Sequence, residues 1–243
     1  MNISKNTQVR QLEPQMKAQL LEYLKKKSYI ADNDGVISEF TVDKYARRAD
    51  LVIIKDNESI AFEIKSEADS LIRLNDQTEK YLQFFDKVIL VTTEKHYKKS
   101  LEILTINVGI WLICKEKIKI IRKGQKNVIK DKSKILGMMT IRELRVSARK
   151  NNYTGDNKNK NEIIKHLMGI KYEKLRHELF NHIKKRYKLT SKAFWTNSLE
   201  NKVSVKSVEN LKRRTNNTQN NNNTSEWLDK ITAILSEKSN FKQ

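Results

Sequence analysis

The fold of this chain is decided by residues 48–65, which read RADLVII at 48–54, KDNE at 55–58 and SIAFEIK at 59–65. Two apolar segments flank a short polar turn, a pattern typical of a β-hairpin. Glu63 and Lys65 alternate with aliphatic residues, and successive side chains of a strand point to opposite faces. The two charged side chains should therefore project together while Ile60, Phe62 and Ile64 enter the core. The hairpin would also bring Asp50 beside Glu63.

Two carboxylates and an ammonium at one edge of a sheet have a chemical use. Mg²⁺ prefers oxygen ligands, commonly one or two carboxylates with waters and a substrate phosphate. Asp50 and Glu63 would supply the carboxylates and the Ile64 carbonyl a third oxygen, so we expect Mg²⁺ or Mn²⁺ as the cofactor. Lys65 would assist the attacking water or stabilise charge on the phosphate. The implied reaction is hydrolysis of a phosphodiester bond.

These residues resemble the PD-(D/E)XK nuclease superfamily, which includes restriction endonucleases and RecB-like exonucleases. Asp50 corresponds to the first acidic residue of its motif and Glu63-Ile64-Lys65 to its E-x-K. The resemblance covers roughly the first half of the chain. It is closer still to a small bacterial and phage family within the superfamily, on the fit of Arg48-Ala49-Asp50, Glu63-Ile64-Lys65-Ser66, Asp69, Arg73-Leu74 and Gln77. It implies an α/β fold, a restriction-endonuclease-like mixed β-sheet flanked by helices.

Two further matches extend the predicted catalytic set beyond Asp50, Glu63 and Lys65. Gln77-x-x-x-Tyr81 is similar to a motif that RecB-like members carry on the helix after the hairpin, where the pair helps to position the active site and the DNA. Glu39, upstream of the hairpin, is a candidate for the acidic residue that many members place there. Residues four apart on a helix share a face, which agrees with a joint role for Gln77 and Tyr81.

Simpler interpretations remain open for several of these residues. Glu63 and Lys65 could be the solvated face of an edge strand, and Tyr81 a core residue. Arg48 and Arg73 could contact phosphate, but a salt bridge to a neighbouring carboxylate is an equal alternative.

The hydrophobic pattern predicts the other elements of the first domain, residues 1–125. Helices are expected at 12–27, 67–85 and 95–104, and strands at 36–42, 88–91, 108–114 and 118–121. This order indicates a mixed sheet with helices on both sides. Residues 124–137 are polar and basic and are expected to form a linker.

An all-helical region is predicted after the linker. Residues 138–169 resemble a SAP-like helix-extended loop-helix module, a class often found binding DNA, and Thr140 with Glu143 forms a capping-box pattern. The resemblance makes the following residues candidate phosphate contacts: Arg142, Arg145, Arg149, Lys158 and Lys160. A plain helical hairpin for packing or protein contact is the alternative.

The rest of the chain divides by composition into a basic helical region at 170–214, an Asn-rich linker at 215–224 and an amphipathic helix at 225–243. The apolar face of this last helix could dock on the body, bind a partner or pair with a second copy of the chain.

Charge favours a polyanionic partner. The 243 residues carry a formal net charge of +20, and residues 131–243 hold 25 Lys and Arg against 11 Asp and Glu. Nucleic acid is the commonest such partner, although an AT-rich genome also enriches Lys and Asn. The one cysteine, Cys114, lies in an apolar run and is expected in the core of a cytoplasmic protein without disulfides. No apolar stretch approaches the ~18 residues of a membrane span.

The leading hypothesis is therefore a Mg²⁺-dependent deoxyribonuclease whose basic C-terminal half holds DNA. The alternatives are a catalytically silent nuclease-like factor of a phage or mobile element that binds DNA, and a protein-interaction adaptor built on the C-terminal helices.

Overall fold

Alternating and continuous apolar segments assemble into one six-stranded sheet in the computed structural model, which describes residues 12–42, 47–156, 159–198 and 201–211. The strands lie side by side in chain order: β1 (Gly35–Val42), β2 (Arg47–Ile54), β3 (Ser59–Lys65), β4 (Lys87–Thr92), β5 (Gly109–Cys114) and β6 (Lys117–Arg122). Pairing is parallel for β3–β4 and β4–β5 and antiparallel for the other neighbours. The predicted mixed sheet is confirmed.

Helices flank the sheet and make up the region after it. In chain order they are α1 (Glu13–Lys26), α2 (Leu74–Leu82), α3 (Glu94–Ile103), α4 (Lys132–Gly137), α5 (Ile141–Lys150), α6 (Lys160–Met168), α7 (Tyr172–Arg186), α8 (Lys188–Ser198) and α9 (Val205–Glu209). The predicted α/β class with a helical C-terminal region is confirmed for the part of the chain that the structure describes.

Both faces of the sheet are covered. Leu51 and Ile53 of β2 belong to a hydrophobic cluster with residues of α1 and α8, whereas Val52 and Ile54 belong to a second cluster with residues of α2 and α7. This alternation is the period of a strand. β3 lies between β2 and β4, so the alternative that Glu63 and Lys65 form the solvated face of an edge strand is wrong.

Two predicted boundaries differ from the structure. The helix expected at 67–85 begins only at Leu74, because the Asp69 carboxylate accepts the N–H and the hydroxyl of Ser66 and holds the preceding residues in a turn. The expected linker at 124–137 ends in α4, where Ile135 and Leu136 are buried. Three of its four apolar residues, Ile129, Ile135 and Leu136, are therefore buried despite its basic composition.

The C-terminal helices pack onto the sheet. Buried side chains of α5 and α6, among them Leu144 and Ile163, share a cluster with Leu90 of β4. Arg176 of α7 pairs with Asp86 at 2.6 Å, immediately before β4. In α8, Phe194 and Trp195 are buried. All described residues lie within one compact unit.

The predictions for 215–224 and 225–243 lie outside the described residues. Across the described part, the helices are too short or too polar to span a bilayer.

Candidate functional site

Asp50 lies where β2 and β3 stop pairing. The antiparallel ladder extends to Leu51 opposite Phe62. One residue further, Oδ2 of Asp50 accepts the backbone N–H of Ile64 at 2.7 Å, so a side chain replaces a strand as hydrogen-bond partner. The half-buried carboxylate of Asp50 is thereby held beside Glu63, as the hairpin predicts.

Glu63 is buried, with 2% of its surface exposed, and both of its carboxylate oxygens have partners. Lys65 donates to Oε1 at 2.7 Å from the same strand face. The Tyr81 hydroxyl lies 3.1 Å from Oε2 and 2.7 Å from the Arg48 carbonyl oxygen. One proton serves both acceptors, so Tyr81 of α2 connects Glu63 to the backbone of β2 and is a core residue at the same time.

Burial and neighbouring acids perturb the protonation of Asp50 and Tyr81. Burial, and next the charge of Glu63, raise the pKa of Asp50 to about 8. Burial also raises the pKa of the Tyr81 hydroxyl, with the two carboxylates adding to the shift, so Tyr81 remains a proton donor. Neighbouring carboxylates repel each other, and a nearby cation lowers the cost of ionising both.

These groups line a cavity of about 260 Å³, the Asp50 cavity. Acids and cations share its wall, which consists of Glu13, Arg47, Arg48, Asp50, Glu63, Ile64, Lys65, Asp69, Arg73 and Gln77. The four cationic side chains suit a phosphate group, and the acids beside them suit a metal ion.

The donor set is compatible with a divalent cation. Within the described ranges, Oδ2 of Asp50 is engaged by Ile64 and no hydrogen bond reaches Oδ1, while Glu63 and the Ile64 backbone lie on the adjoining strand. Among the described residues no group of three or more His, Cys, Asp or Glu side chains forms a ready-made metal cluster. Two carboxylates with a backbone oxygen resemble a Mg²⁺ site that retains waters, rather than a closed protein cage.

Other predicted residues lie at the rim of the cavity. Exposed Arg48 forms an ion pair with Glu39 at 3.1 Å, which is the alternative weighed for this arginine. Glu39 adopts a left-handed backbone conformation with φ of +59°. Gln77 lines the cavity, and its Oε1 is buried without a hydrogen-bond partner in the described residues. Arg73 is exposed in the wall.

The candidate phosphate contacts of the helical region are placed elsewhere. Arg142 and Arg149 of α5 and Lys160 of α6 are exposed, and Arg145 is half-buried. None of them is in the wall of the Asp50 cavity, and Lys158 lies outside the described residues. Thr140 and Glu143 form the expected capping box. Arg186 pairs with Glu143, so the end of α7 is tied to α5.

Three wall residues were missed as site residues by sequence reasoning: Glu13, Arg47 and Asp69. Arg47 is close in sequence to the hairpin, and Asp69 is among the residues on which the family resemblance rests, so these signals could have indicated them. Glu13 is 37 positions before Asp50, and only the packing of α1 brings it to the cavity.

A family assignment can now be added to this geometry. The sequence model described as "Bacteriophage P4 protein cII" matches residues 6–212. The chain belongs to the bacteriophage P4 protein cII family. Protein cII of Enterobacteria phage P4 is 31% identical over 187 residues, which cover 75% of this chain and 70% of that protein. The expected phage affiliation is confirmed.

The structural comparison is weaker. A protein of unknown function from Silicibacter pomeroyi aligns with 60% of this cII-family chain and 97% of its own, with a TM-score of 0.38 and 17% identity. Similarity at this level does not support a functional inference.

Proposed function

We propose that this cII-family protein is a metal-dependent nuclease that hydrolyses phosphodiester bonds, with DNA as the favoured substrate. The observation that carries the proposal is the convergence of Asp50, Glu63 and Lys65 on one cavity, at the end of two central strands. A buried and a half-buried acid beside a lysine are costly for a fold, and perturbed ionisable groups in a cleft are typical of functional sites.

Asp50, Glu63 and the Ile64 carbonyl would hold Mg²⁺ or Mn²⁺. When bound, such an ion supplies Lewis acidity and an orienting template for phosphoryl chemistry. The ordering of the carboxylates by Ile64, Lys65 and Tyr81 supports this assignment, because ligands held in place before binding lose little freedom on binding.

The cations would bind the substrate backbone. Lys65 is 12% exposed and already paired with Glu63, so it is positioned to stabilise negative charge at the reacting phosphate. Arg47, Arg48 and Arg73 in the cavity wall would contact flanking phosphates. The exposed cations of α5 and α6 would extend the electrostatic attraction, which carries no sequence preference by itself.

The test is cleavage of labelled linear duplex, single-stranded, nicked and branched DNA, and of RNA, with Mg²⁺ or Mn²⁺. We expect wild-type protein to cut at least one substrate and Asp50→Ala, Glu63→Ala and Lys65→Ala to lose that cleavage. Glu102→Ala is the matched control, because Glu102 is an exposed acid paired with Lys99 on α3. Loss of cleavage in the control as well, or its persistence in the three site variants, would contradict the proposal.

A second candidate is a catalytically silent factor that binds nucleic acid or another protein. It is favoured by one observation: both oxygens of Glu63 already have partners inside the protein. A metal-binding enzyme should gain thermal stability from Mn²⁺ or Mg²⁺, and a silent scaffold should not. A metal-induced rise in Tm that Asp50→Ala abolishes would favour the nuclease. Salt-sensitive DNA binding without that rise would favour the silent factor.

A further inference from the structure

Ile72 stands out on the surface of this protein. It is 90% exposed, more than the other large hydrophobic side chains that the structure describes. Single exposed aliphatic residues are common and need no explanation on their own. The exposure of Ile72 is of interest because its loop is anchored at both ends and lines the Asp50 cavity.

The loop that carries Ile72 is held at both ends. Asp69 accepts two hydrogen bonds from Ser66, at 2.7 and 2.6 Å. Leu71 packs against the core, and the N–H of buried Leu74 donates to the Leu71 carbonyl at 3.0 Å. Because its neighbours are anchored, the loop presents Ile72 to solvent in a defined shape.

The same loop forms part of the wall of the Asp50 cavity. Asp69 and Arg73 both line that cavity, and Ile72 lies between them in sequence. Consecutive Cα atoms are about 3.8 Å apart, so the backbone of exposed Ile72 adjoins the proposed phosphate site and one of its cations, Arg73.

We propose that Ile72 packs against a nucleobase of the strand whose phosphate enters the Asp50 cavity. The inference rests on the proposed function and adds to it a preference for unstacked bases. The cations of the cavity can hold phosphates, and an apolar surface beside them would favour a base that packs against it. In a single strand the base is free to make this contact. In a duplex Ile72 would have to enter between base pairs, as apolar wedges do in proteins that kink DNA.

The substrate class follows from this contact. Single strands expose bases at little cost of unstacking, and an end, a nick or a branch lowers that cost in a duplex. The protein should therefore bind and cut such substrates better than continuous duplex.

Ile106 provides a matched control. It is also an exposed isoleucine, at 62%. It precedes β5, whereas Ile72 follows β3, and the parallel strands β3, β4 and β5 place these positions at opposite ends of the sheet. Ile106→Ala removes the same atoms away from the Asp50 cavity.

The experiment measures binding of a fluorescent single strand in chelator, with a second strand that has the same phosphates but abasic sugars. We expect Ile72→Ala to bind the base-containing strand about tenfold more weakly than wild type, since aliphatic carbons lose their contact with the base. Ile106→Ala should match wild type, and Ile72→Phe should retain or increase affinity. On the abasic strand wild type and Ile72→Ala should be equal.

Three results would overturn the inference. Equal binding of the base-containing strand by wild type and Ile72→Ala would show that Ile72 does not contact a base, and it would not contradict the proposed nuclease activity. An equal loss on the abasic strand would assign Ile72 to the fold or to phosphate binding. If neither wild type nor Ile106→Ala bound or cleaved nucleic acid, the proposed function would be contradicted, and this inference with it.

Discussion

Asp50 accepts the backbone N–H of Ile64 at 2.7 Å, at the position where β2 and β3 cease to pair. This bond stabilises the carboxylate, but burial and the charge of Glu63 oppose it and raise the pKa of Asp50 to about 8. Between about pH 4 and about pH 8, the metal-free folded protein therefore retains a proton on Asp50 that the unfolded chain has released.

The first prediction follows from that proton. Because the folded state binds it more tightly, Asp50 contributes stability that is complete below about pH 4 and is lost as the pH rises towards about 8. Asp50→Asn has no such titration. The difference in unfolding free energy, wild type minus variant, should fall with pH by at most about 1.4 kcal/mol per unit. Urea denaturation in chelator at several pH values measures it. A difference that is flat or rises with pH would contradict the shift.

The second prediction concerns the hydroxyl of Tyr81. Tyr81→Phe keeps the buried ring but removes the donor shared by Glu63 and the Arg48 carbonyl. We expect a loss of about 1–2 kcal/mol in unfolding free energy, because the acceptors stay buried. Cleavage should fall by about tenfold or more, since Glu63 loses one of the groups that orient it. Tyr29→Phe is the control because Tyr29 is 47% exposed, and it should change neither quantity. Unaltered cleavage by Tyr81→Phe would limit Tyr81 to a packing role.

The third prediction tests the attachment of the helical region to the sheet. Buried Asp86 accepts from Arg176 of α7 at 2.6 Å and from the Ser59 N–H at 2.6 Å. Asp86→Ala leaves the Arg176 guanidinium without its carboxylate and should cost about 3–5 kcal/mol. Asp56→Ala removes the exposed partner of Lys184 on the same helix and should cost less than about 1 kcal/mol.

Thermal and urea unfolding, followed by far-UV circular dichroism, would measure these two costs. We expect a single transition in both variants, because the helices and the sheet share one hydrophobic cluster. Two separate transitions in Asp86→Ala would indicate that the helical region folds independently.

The fourth prediction uses the backbone of Glu39. At φ of +59° a side chain is disfavoured, whereas glycine adopts this conformation freely. Both Glu39→Gly and Glu39→Ala lose the ion pair with Arg48, so their comparison isolates the backbone. The glycine variant should be more stable than the alanine variant by about 1 kcal/mol. At Glu102, inside α3, the order should reverse, because alanine favours a helix. Chemical denaturation of the four variants would measure the difference in unfolding free energy between glycine and alanine at each position.

Much of the architecture was predictable because its signals are local. The two apolar segments around the polar turn placed β2 and β3, and the spacing of Gln77 and Tyr81 placed both on α2. The hairpin brought Asp50 to Glu63, because a short turn makes its two flanking strands pair with each other and fixes their register. The start of α2 was predicted wrongly because the side-chain bonds between Ser66 and Asp69 compete with helical ones, and periodicity does not detect them.

The strands, most of the helices and the grouping of Asp50, Glu63 and Lys65 were therefore predictable from local patterns, because strand and helix periods act over a few residues. Long-range packing sets the other relationships: Glu63 is buried in a central strand, Glu13 of α1 lines the cavity, and Arg176 of α7 pairs with Asp86. These relationships join residues that are distant in the chain. They depend on which apolar faces pack together, and no local period specifies that choice.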